Sequence, residues 1–500
     1  MARRPGATAL IADGYVHSFT AIDRESDRLA CALQSAGIRR GDRVAVMLEN
    51  SPELVVSLFG ILKAGGVFVP VNPTMKAHKL AYILSQCGVS CLVVHSRIAR
   101  VIVPALVAAP TVGAAIWIGG LPAGAPFGLA FEEVMQAPAS PVATPGLIDA
   151  DLGAIIYTSG TTGDPKGVML THRTMRNNAW AISTYLANVP DDVVVCALPM
   201  AFSYGLFQVL AGARVGYAVL IERSFAYPRD VMHRVAQYRV TGFPGVPAMF
   251  AAMVQVAPFD DLDLSHLRYL TNAAAPIAPA HIRRLQELFP QADIFSMYGL
   301  TECTRVSYLD PARLTDKISS VGTAMPNTEV YIVDEYGHRV PPGEVGELVV
   351  RGANVMRGYW GKPEETAERL RDGEISGEKV LHTGDQFRMD DEGLLYFVGR
   401  TDDMFMCRGE KISPKEIENV LYELEAVSEA AVVGVPDPVE GMAIKATVVP
   451  RDGVTLTDQQ VRLHCRDRLE TSRVPKLVEI RESLPKTESG KIKRSALSQA

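Results

Sequence analysis

The chain has few cysteines, and their positions follow no pairing pattern. Seven cysteines are spread over 500 residues, at positions 31, 87, 91, 196, 303, 407 and 465. An odd, scattered set is not a disulfide framework and is typical of a reducing compartment, so we expect a cytoplasmic protein. Cys87 and Cys91 lie close to His95 in the sequence. No second pair of ligands follows them, and we predict no metal site there.

Neither sign of charge dominates the sequence. The net charge is −6 at pH 7, with 21% charged residues. A nucleic-acid-binding protein would show a basic face or stripe, so we expect no nucleic-acid partner. The hydrophobic fraction of 48% is sufficient for a large core, and the length predicts two or three domains.

A long uninterrupted apolar helix is also missing. The N-terminus has two arginines but no sustained apolar run before Asp13, so we expect no signal peptide. The thirty-one residues from Val101 to Phe131 carry no charge, but four prolines and five glycines interrupt them. A spanning helix would break at these positions and leave backbone groups without partners. We therefore predict short strands and loops of a core there, and no membrane span.

Strand-like and helix-like runs alternate through most of the chain. Residues 43–49 (RVAVMLE) and 68–73 (FVPVNP) are typical of buried strands, and a helical pattern at 51–65 lies between them. The same alternation returns at 193–221. Continuous apolar strands separated by helices predict a parallel sheet covered on both faces. Because the unit recurs, we predict an α/β fold with two stacked α/β subdomains.

The pattern changes near residue 320. Alternating strands with Gly/Pro turns at 328–352 predict antiparallel structure and a β-barrel-like subdomain. A polar turn at 399–402 is followed by a new helix after Pro414 and by an α+β pattern of its own. We predict a large N-terminal domain at 1–399 and a small C-terminal domain at 400–500.

Residues 157–167, YTSGTTGDPKG, are rich in glycine and hydroxyl groups and lie between two apolar runs. Glycines let a backbone approach a ligand closely, while hydroxyls and Lys166 add donors and a positive charge. The stretch predicts a phosphate-binding loop between a strand and the start of a helix. It does not match the Walker pattern, because Pro165 and Gly167 stand where that pattern needs Gly and Ser/Thr. Taken without other motifs, residues 157–167 are equally consistent with a surface turn.

Four further short motifs follow this loop. They are YGLTE at 298–302, TGD at 383–385, GRTDD at 399–403 and PKTESGK at 485–491. Each alone has a plainer explanation: a solvated carboxylate, an Asx-turn, a salt-bridged linker and a basic tail. Their occurrence together with the loop, in this order over more than 330 residues, is highly specific.

This set of motifs resembles the acyl-adenylate-forming superfamily, which includes acyl- and aryl-CoA ligases, peptide-synthetase adenylation domains and luciferase. The resemblance covers nearly the whole chain and implies a two-step reaction. A carboxylate attacks the α-phosphorus of ATP, releases pyrophosphate and forms an acyl-AMP; a thiol, usually of coenzyme A, then displaces AMP. The implied cofactors are ATP, Mg²⁺ and coenzyme A, and the small C-terminal domain is implied to be mobile.

The resemblance also implies roles for individual residues in nucleotide binding. Glu302 matches a Mg²⁺-linked carboxylate, Thr301 a hydroxyl at the α-phosphate and Tyr298 an aromatic on adenine. Asp385 matches the acceptor for the ribose hydroxyls, and Arg400 a second contact near ribose and phosphate. The implied phosphate cradle consists of Thr158, Ser159, Gly160, Thr161, Thr162, Gly163 and Lys166.

Three C-terminal residues carry implied roles in catalysis and domain movement. Lys491 matches the lysine that bridges the substrate carboxylate and the α-phosphate, where charge builds up. Asp402 matches a hinge that swings the small domain between the two half-reactions. Gly409 matches a glycine beside the incoming thiol. One position departs from many family members, since Met406 stands where they carry a lysine.

The acid pocket is predicted from LPMAFSYGLFQ at 198–208 and TNAAAPI at 271–277. Amino-acid-activating members carry an aspartate where this chain has Ser203, so an α-amino acid is disfavoured. With Phe202, the pocket residues Val246, Ala273, Ala274, Ala275 and Gly299 predict a narrow, dry tunnel for a neutral apolar acyl or aryl acid. The sequence is equally consistent with Phe202 being an ordinary residue of the core.

Arg305 is expected at the surface, with recognition of a second carboxylate as the alternative.

The sequence does not determine which group accepts the activated acyl group. The main prediction is an acid–CoA ligase. The alternatives are a stand-alone adenylating enzyme that loads a carrier protein or an amine, and a non-catalytic binding protein. Retention of Thr301, Glu302 and Lys491 argues against the last. No oligomeric state is predicted.

Overall fold

The computed structural model of the chain describes most of its 500 residues. The described ranges are 4–138, 142–143, 145–158, 165–273, 277, 279–401, 403–407, 410–437, 441–487 and 492–498.

The α-helices of the described residues are numbered in chain order. They are α1 Phe19–Ser35, α2 Pro52–Ala64, α3 Ala77–Cys87, α4 Ala99–Ala108, α5 Phe131–Gln136, α6 His172–Tyr185, α7 Ser203–Val215, α8 Pro228–Gln237, α9 Pro247–Val256, α10 Pro279–Leu288, α11 Pro363–Arg369, α12 Pro414–Tyr422 and α13 Asp458–Arg466.

The strands are numbered in the same way. They are β1 Thr8–Ala12, β2 Tyr15–Ser18, β3 Arg43–Met47, β4 Val67–Pro70, β5 Val89–His95, β6 Ala114–Ile118, β7 Leu129–Ala130, β8 Leu152–Thr158, β9 Lys166–Thr171, β10 Val193–Cys196, β11 Ala218–Ile221, β12 Gly242–Gly245, β13 Tyr269–Asn272, β14 Asp293–Tyr298, β15 Ser307–Tyr308, β16 Thr323–Ala324, β17 Thr328–Val333, β18 Val345–Gly352, β19 Gly358–Tyr359, β20 Leu370–Asp372, β21 Lys379–Met389, β22 Leu395–Arg400, β23 Phe405–Cys407, β24 Glu410–Ile412, β25 Val427–Asp437, β26 Gly441–Pro450 and β27 Leu477–Ile480.

Two large sheets form the body of the molecule. The first sheet has the order β19-β9-β8-β4-β3-β5-β6-β7 and is parallel from β8 to β7. The second sheet has the order β16-β15-β14-β13-β12-β10-β11-β1-β2 and is parallel from β14 to β1. The predicted parallel α/β architecture is confirmed.

Helices lie between the two sheets and on their outer faces. One apolar cluster joins buried residues of both sheets with α1, α2, α6 and α7. The outer face of the first sheet is covered by α3 and α4, and that of the second by α8, α9 and α10. Burial on both faces explains why the central strands are continuous apolar runs.

Helix α2 shows how local sequence signals define one of the central helices. The Ser51 side chain accepts a hydrogen bond from the Leu54 N–H, Pro52 is the first helical residue, and Gly65 ends the helix with a φ of 86°. Leu58 and Ile61 are fully buried, and each such side chain contributes about 1.5–3 kcal/mol by leaving water. Close packing of α1 and α2 depends on Gly60, because a Cβ there would lie 2.9 Å from Leu29.

The region after residue 320 is antiparallel, as predicted. Strands β17, β18, β21 and β20 lie side by side, and β22 also pairs with β21. The long β21 therefore contacts three neighbouring strands. Its register with β22 shifts between Gln386 and Phe387, which bends the sheet next to Asp385.

The C-terminal part has a separate apolar core. Its sheet has the order β25-β26-β27, with β23 and β24 paired beside it. Buried residues of this part, from Cys407 to Cys465, form a cluster with α12 and α13 and with no residue before position 400. We propose the domain boundary between residues 399 and 402 on this basis.

The uncharged segment from Val101 to Phe131 differs from the prediction. Short strands β6 and β7 are present, but α4 covers Ala99–Ala108 and contains Pro104. Burial of Ile102, Ala105 and Leu106 against the first sheet offsets the backbone hydrogen bond that Pro104 cannot donate. Within the described ranges, no helix is long and apolar enough to cross a membrane.

Candidate active site

The YGLTE motif forms a tight turn at the carboxyl end of β14. Tyr298 ends the strand, and the chain reverses so that the Val306 N–H donates to the Tyr298 carbonyl at 2.9 Å. Thr304 takes a left-handed conformation with a φ of 63°, and its N–H donates to the Leu300 carbonyl. A Cβ on Gly299 would lie 2.5 Å from the Thr304 carbonyl oxygen, so only glycine fits at this close approach.

Tyr298 and Asp385 come together in this region. The Tyr298 hydroxyl donates to the Asp385 carboxylate at 2.6 Å. Burial, followed by the nearby Asp385 charge, raises the pKa of Tyr298 well above its usual value, so its phenol stays protonated and remains a donor. Phe387 and Phe397 pack against the ring, at centroid distances of 4.7 and 6.5 Å. These two phenylalanines were not predicted from the sequence.

Asp385 lies within β21 and not in the Asx-turn considered for TGD. It is paired in register with Arg400 of β22, whose Nε lies 3.7 Å from an Asp385 carboxylate oxygen. The Asp385 N–H donates to the Thr383 hydroxyl at 3.2 Å. Gly384 has a φ of 72°, which lets the strand turn the buried carboxylate toward Tyr298.

A second group contains Glu302, Tyr359 and Lys166. The Tyr359 hydroxyl donates to Glu302 Oε1 at 2.7 Å, and Lys166 Nζ lies 5.5 Å from the centre of the Tyr359 ring. Burial and the Glu302 charge raise the pKa of Tyr359, so it too stays protonated. Tyr359 was missed because nothing in its local sequence marks it. Pairing of β19 with β9 brings it to the site.

The two arms of the glycine-rich loop form a hairpin. Thr158 ends β8, Lys166 begins β9, and the two residues are paired in register. The prediction of a helix directly after the loop is wrong, because β9 comes first and α6 begins only at His172. The strand forms because β9 completes the first sheet between β8 and β19. The loop residues Ser159, Gly160, Thr161, Thr162 and Gly163 lie outside the described ranges.

Several other predicted residues also fall outside these ranges. They are Ala274, Ala275, Asp402, Gly409 and Lys491. Thr301 is described and lies half-buried in the turn after β14. Met406, at the position of the expected family lysine, is exposed in β23.

The described residues of the predicted acid pocket follow the carboxyl ends of neighbouring strands in the second sheet. Phe202 and Ser203 come after β10, Val246 after β12, Ala273 after β13 and Gly299 after β14. The carboxyl ends of parallel strands meet at one edge, where α/β sheets bind ligands. Phe202 is half-buried and belongs to none of the buried apolar clusters of the described residues, which favours the pocket over simple core packing.

Arg305 is not at the surface, contrary to the expectation. Its exposed fraction is 3%, and its guanidinium carbon lies 4.7 Å from the centre of the Tyr204 ring. The turn after β14 directs this side chain inward toward α7. The position of Arg305 three residues after Glu302 does not indicate that its side chain points inward.

Two family models match the chain. The description "AMP-binding enzyme" applies to residues 1–360, and "AMP-binding enzyme C-terminal domain" to residues 416–491. The first match covers well over half of the chain.

Similar curated proteins and solved structures extend over nearly the full length. A feruloyl-CoA synthase from Amycolatopsis sp is 37% identical over 489 residues, covering 98% of this chain and 94% of the relative. A long-chain-fatty-acid–CoA ligase from Bacillus subtilis (strain 168) is 32% identical over 527 residues, covering 99% and 92%. The crystal structure of the anthranilate CoA ligase AuaEII with anthranoyl-AMP has a TM-score of 0.91 and 27% identity, covering 99% and 94%. The chain therefore belongs to the AMP-binding enzyme family, and it is an ATP-dependent, AMP-forming acid–CoA ligase.

Proposed function

We propose that this ligase activates an aryl or acyl acid with a neutral, apolar body. The observation that carries this proposal is the meeting of two groups at the turn after β14. Tyr298 contacts Asp385, and Tyr359 contacts Glu302. The predicted acid pocket lies at the same sheet edge and has Ser203 where amino-acid-activating enzymes have a carboxylate.

We assign the Tyr298 group to the nucleoside. An ionised carboxylate only accepts hydrogen bonds, so Asp385 suits a pair of ribose hydroxyls. The Tyr298 ring provides an aromatic face for adenine, and its hydroxyl holds the carboxylate in place. Arg400, 3.7 Å from Asp385, adds a positive charge on the phosphate side.

We assign the Glu302 group to Mg²⁺ and the triphosphate. Among the described residues, no cluster of three His, Cys, Asp or Glu side chains could hold a metal ion alone. A single carboxylate fits Mg²⁺, which binds proteins through one or two carboxylates together with substrate phosphates. Glu302 would hold the ion, which neutralises phosphate charge when bound. Thr301, Lys166 and the loop of residues 158–163 would contact the phosphates.

We assign the transfer steps to the C-terminal residues. Lys491 would neutralise the substrate carboxylate and the α-phosphate while they join. Rotation at Asp402 would then remove Lys491 and bring the segment around Gly409 to the incoming thiol. The cysteine distribution fits a reducing compartment, and we propose the cytoplasm.

The acid is proposed from the pocket and from the relatives. Phe202 and Val246 are half-buried and offer apolar surface, whereas Ala273 is buried in the core. Ser203 stands where an aspartate would pair with an α-ammonium group. The similar proteins are named for feruloyl and long-chain fatty acyl groups. An aryl or alkyl acid without an α-amino group fits both observations.

Turnover with a panel of acids tests this function. Purified enzyme with ATP and Mg²⁺ is expected to release pyrophosphate only when an acid is present. Adding coenzyme A should give AMP and an acyl-CoA that mass spectrometry identifies. Formation of ADP, or release of pyrophosphate without an acid, would contradict the proposal.

A further inference from the structure

Arg305 is a buried cation, and the part of the chain that the structure describes gives it no carboxylate partner. Its exposed fraction is 3%, and no Asp or Glu among the described residues forms an ion pair with it. Its buried Nε has no hydrogen-bond partner. A buried charge is costly unless it is paired and hydrogen-bonded. The described protein residues therefore leave part of this guanidinium's binding capacity unused.

The backbone holds Arg305 in this place. Its N–H donates to the Cys303 carbonyl at 2.7 Å, and its own carbonyl accepts from Asn354 Nδ2 at 3.0 Å. Asn354 is itself fully buried. Gly299 packs so closely that a Cβ would lie 2.9 Å from the Arg305 Cα. These contacts fix the Arg305 backbone in the turn that carries Thr301 and Glu302.

The Arg305 side chain lies against an element that carries residues of the predicted acid pocket. Its guanidinium stacks over Tyr204, the residue after Ser203. The Tyr204 hydroxyl contacts the carbonyl and hydroxyl oxygens of Thr271, at 2.8 and 2.7 Å. Thr271 lies two residues before Ala273. The guanidinium is thus enclosed by the elements that carry the pocket residues after β10, β13 and β14.

The surroundings of Arg305 are aromatic and neutral. Burial raises the pKa of Tyr204 to about 12, with the Arg305 charge acting in the opposite direction. Burial also raises the pKa of Tyr185, while the Arg305 charge and a hydrogen bond from the Arg305 side chain act in the opposite direction. Both phenols stay protonated at neutral pH and do not neutralise the guanidinium. An anion supplied by a ligand would neutralise the guanidinium, and a neutral acceptor oxygen would accept a hydrogen bond from its Nε.

We propose that Arg305 binds an acceptor oxygen at the end of the acid substrate remote from the reacting carboxylate. This inference rests on the proposed function and adds a second oxygen function to the acid: a hydroxyl keeps the body of the acid neutral, whereas a second carboxylate would make the substrate a dicarboxylate. Hydrogen bonds from a guanidinium are charge-assisted and strong when buried. The oxygen is either a hydroxyl or a second carboxylate, and both present lone pairs to the same N–H groups.

The proposal is tested with two series of matched acids. The aryl series is cinnamate, 4-hydroxycinnamate and 4-carboxycinnamate; the alkyl series is octanoate, 8-hydroxyoctanoate and octanedioate. The measurement is kcat/KM for acid-dependent pyrophosphate release. In at least one series, the wild-type enzyme should prefer an oxygenated acid over its parent by about 10- to 100-fold. The preferred member distinguishes the hydroxyl from the carboxylate.

Variants connect this preference to Arg305. In Arg305→Met, the kcat/KM values for an oxygenated acid and its parent should differ by no more than about threefold, because the charged donors are lost. Arg305→Lys keeps the charge without the planar fork and should fall between the two. The matched control is Arg268→Met, since Arg268 also lies near a tyrosine ring, at 5.5 Å from Tyr269, but is paired with Asp192. It should change kcat/KM for all acids by one common factor.

The outcomes separate this inference from the proposed function. Equal use of parent and oxygenated acids by the wild-type enzyme, or an unchanged preference in Arg305→Met, would overturn the role of Arg305 and leave the ligase function intact. Failure to release pyrophosphate with any of these acids would count against both. If Arg305→Met does not fold, the wild-type preference and Arg305→Lys still decide the question.

Discussion

Tyr298 and Asp385, 87 residues apart in the chain, are joined by a hydrogen bond of 2.6 Å. The bond connects the last residue of β14 in the second sheet to β21 in the antiparallel sheet. It thereby aligns an aromatic face with an acceptor-only carboxylate. This relationship is the basis for placing the nucleoside at the junction of the two sheets.

Asp385→Asn should weaken ATP binding. The substitution replaces one acceptor oxygen by an NH₂ donor, so a hydrogen bond to a ribose hydroxyl is lost. Hydrogen bonds to charged groups contribute about 1.5–3 kcal/mol, which predicts a KM for ATP raised by about 10- to 100-fold. Acid-dependent pyrophosphate release at varied ATP measures this. Tyr298→Phe retains the ring and serves as the control, and it should raise the KM for ATP by a smaller factor. A wild-type KM for ATP in Asp385→Asn would refute the ribose assignment.

Glu302→Gln should increase the Mg²⁺ requirement. The amide keeps the shape of the side chain but removes the negative charge that would hold the ion. We expect the Mg²⁺ concentration for half-maximal activity to rise by about tenfold or more, in line with the loss of a charged ligand. The control is Tyr359→Phe, which removes only the 2.7 Å hydrogen bond to the carboxylate. The same Mg²⁺ dependence in Glu302→Gln and the wild type would exclude Glu302 as a ligand.

Lys491→Ala should separate the two half-reactions. Loss of the ammonium group leaves two anions to approach each other without neutralisation, which predicts adenylation slower by roughly 10²–10³ or more. Conversion of supplied acyl-AMP to the thioester should continue. Each half-reaction is assayed separately, and Lys493→Ala, two residues away, provides a matched lysine control. Acyl-AMP formation at the wild-type rate in Lys491→Ala would show the assignment to be wrong.

Asp402→Pro should block the second half-reaction and spare the first. Proline fixes φ near −65°, so the backbone rotation proposed at this position is prevented. Burst formation of acyl-AMP and steady-state formation of acyl-CoA measure the two steps. Asp402→Ala removes the carboxylate while leaving the backbone free, and it should retain both steps. Equal damage to the two steps in Asp402→Pro would argue against a hinge here.

Gly322→Ala should destabilise the fold strongly. Gly322 has a φ of 78°, and a Cβ would lie 1.7 Å from the Tyr308 carbonyl oxygen. The left-handed conformation alone costs about 1–2 kcal/mol for alanine, and the overlap adds to this cost. Gly377 has a similar φ of 82° with open space around its Cβ position, so Gly377→Ala measures the conformational cost alone. Denaturant unfolding should show a larger decrease in the free energy of unfolding for Gly322→Ala than for Gly377→Ala. Equal decreases would show that the backbone around Gly322 relaxes.

The sequence by itself determined the α/β class and the family. Apolar strands such as β3 and helices such as α2 are set by local periodicity and capping residues, which are readable without tertiary contacts. The loop at 157–167 and the motifs around Tyr298, Asp385 and Lys491 are short and contiguous. Their joint order was therefore visible along the chain and indicated the adenylation chemistry.

The tertiary structure decided what depends on distant partners. β9 is a strand because β8 and β19 pair with it, and α4 tolerates Pro104 because the first sheet covers its apolar face. Tyr359 reaches Glu302 only through that pairing, across 57 residues. Arg305 is buried because the turn after β14 packs its side chain against Tyr204 of α7, a contact across 101 residues. The sequence does not show whether a long, charged side chain is buried or exposed, since burial depends on the elements packed around it.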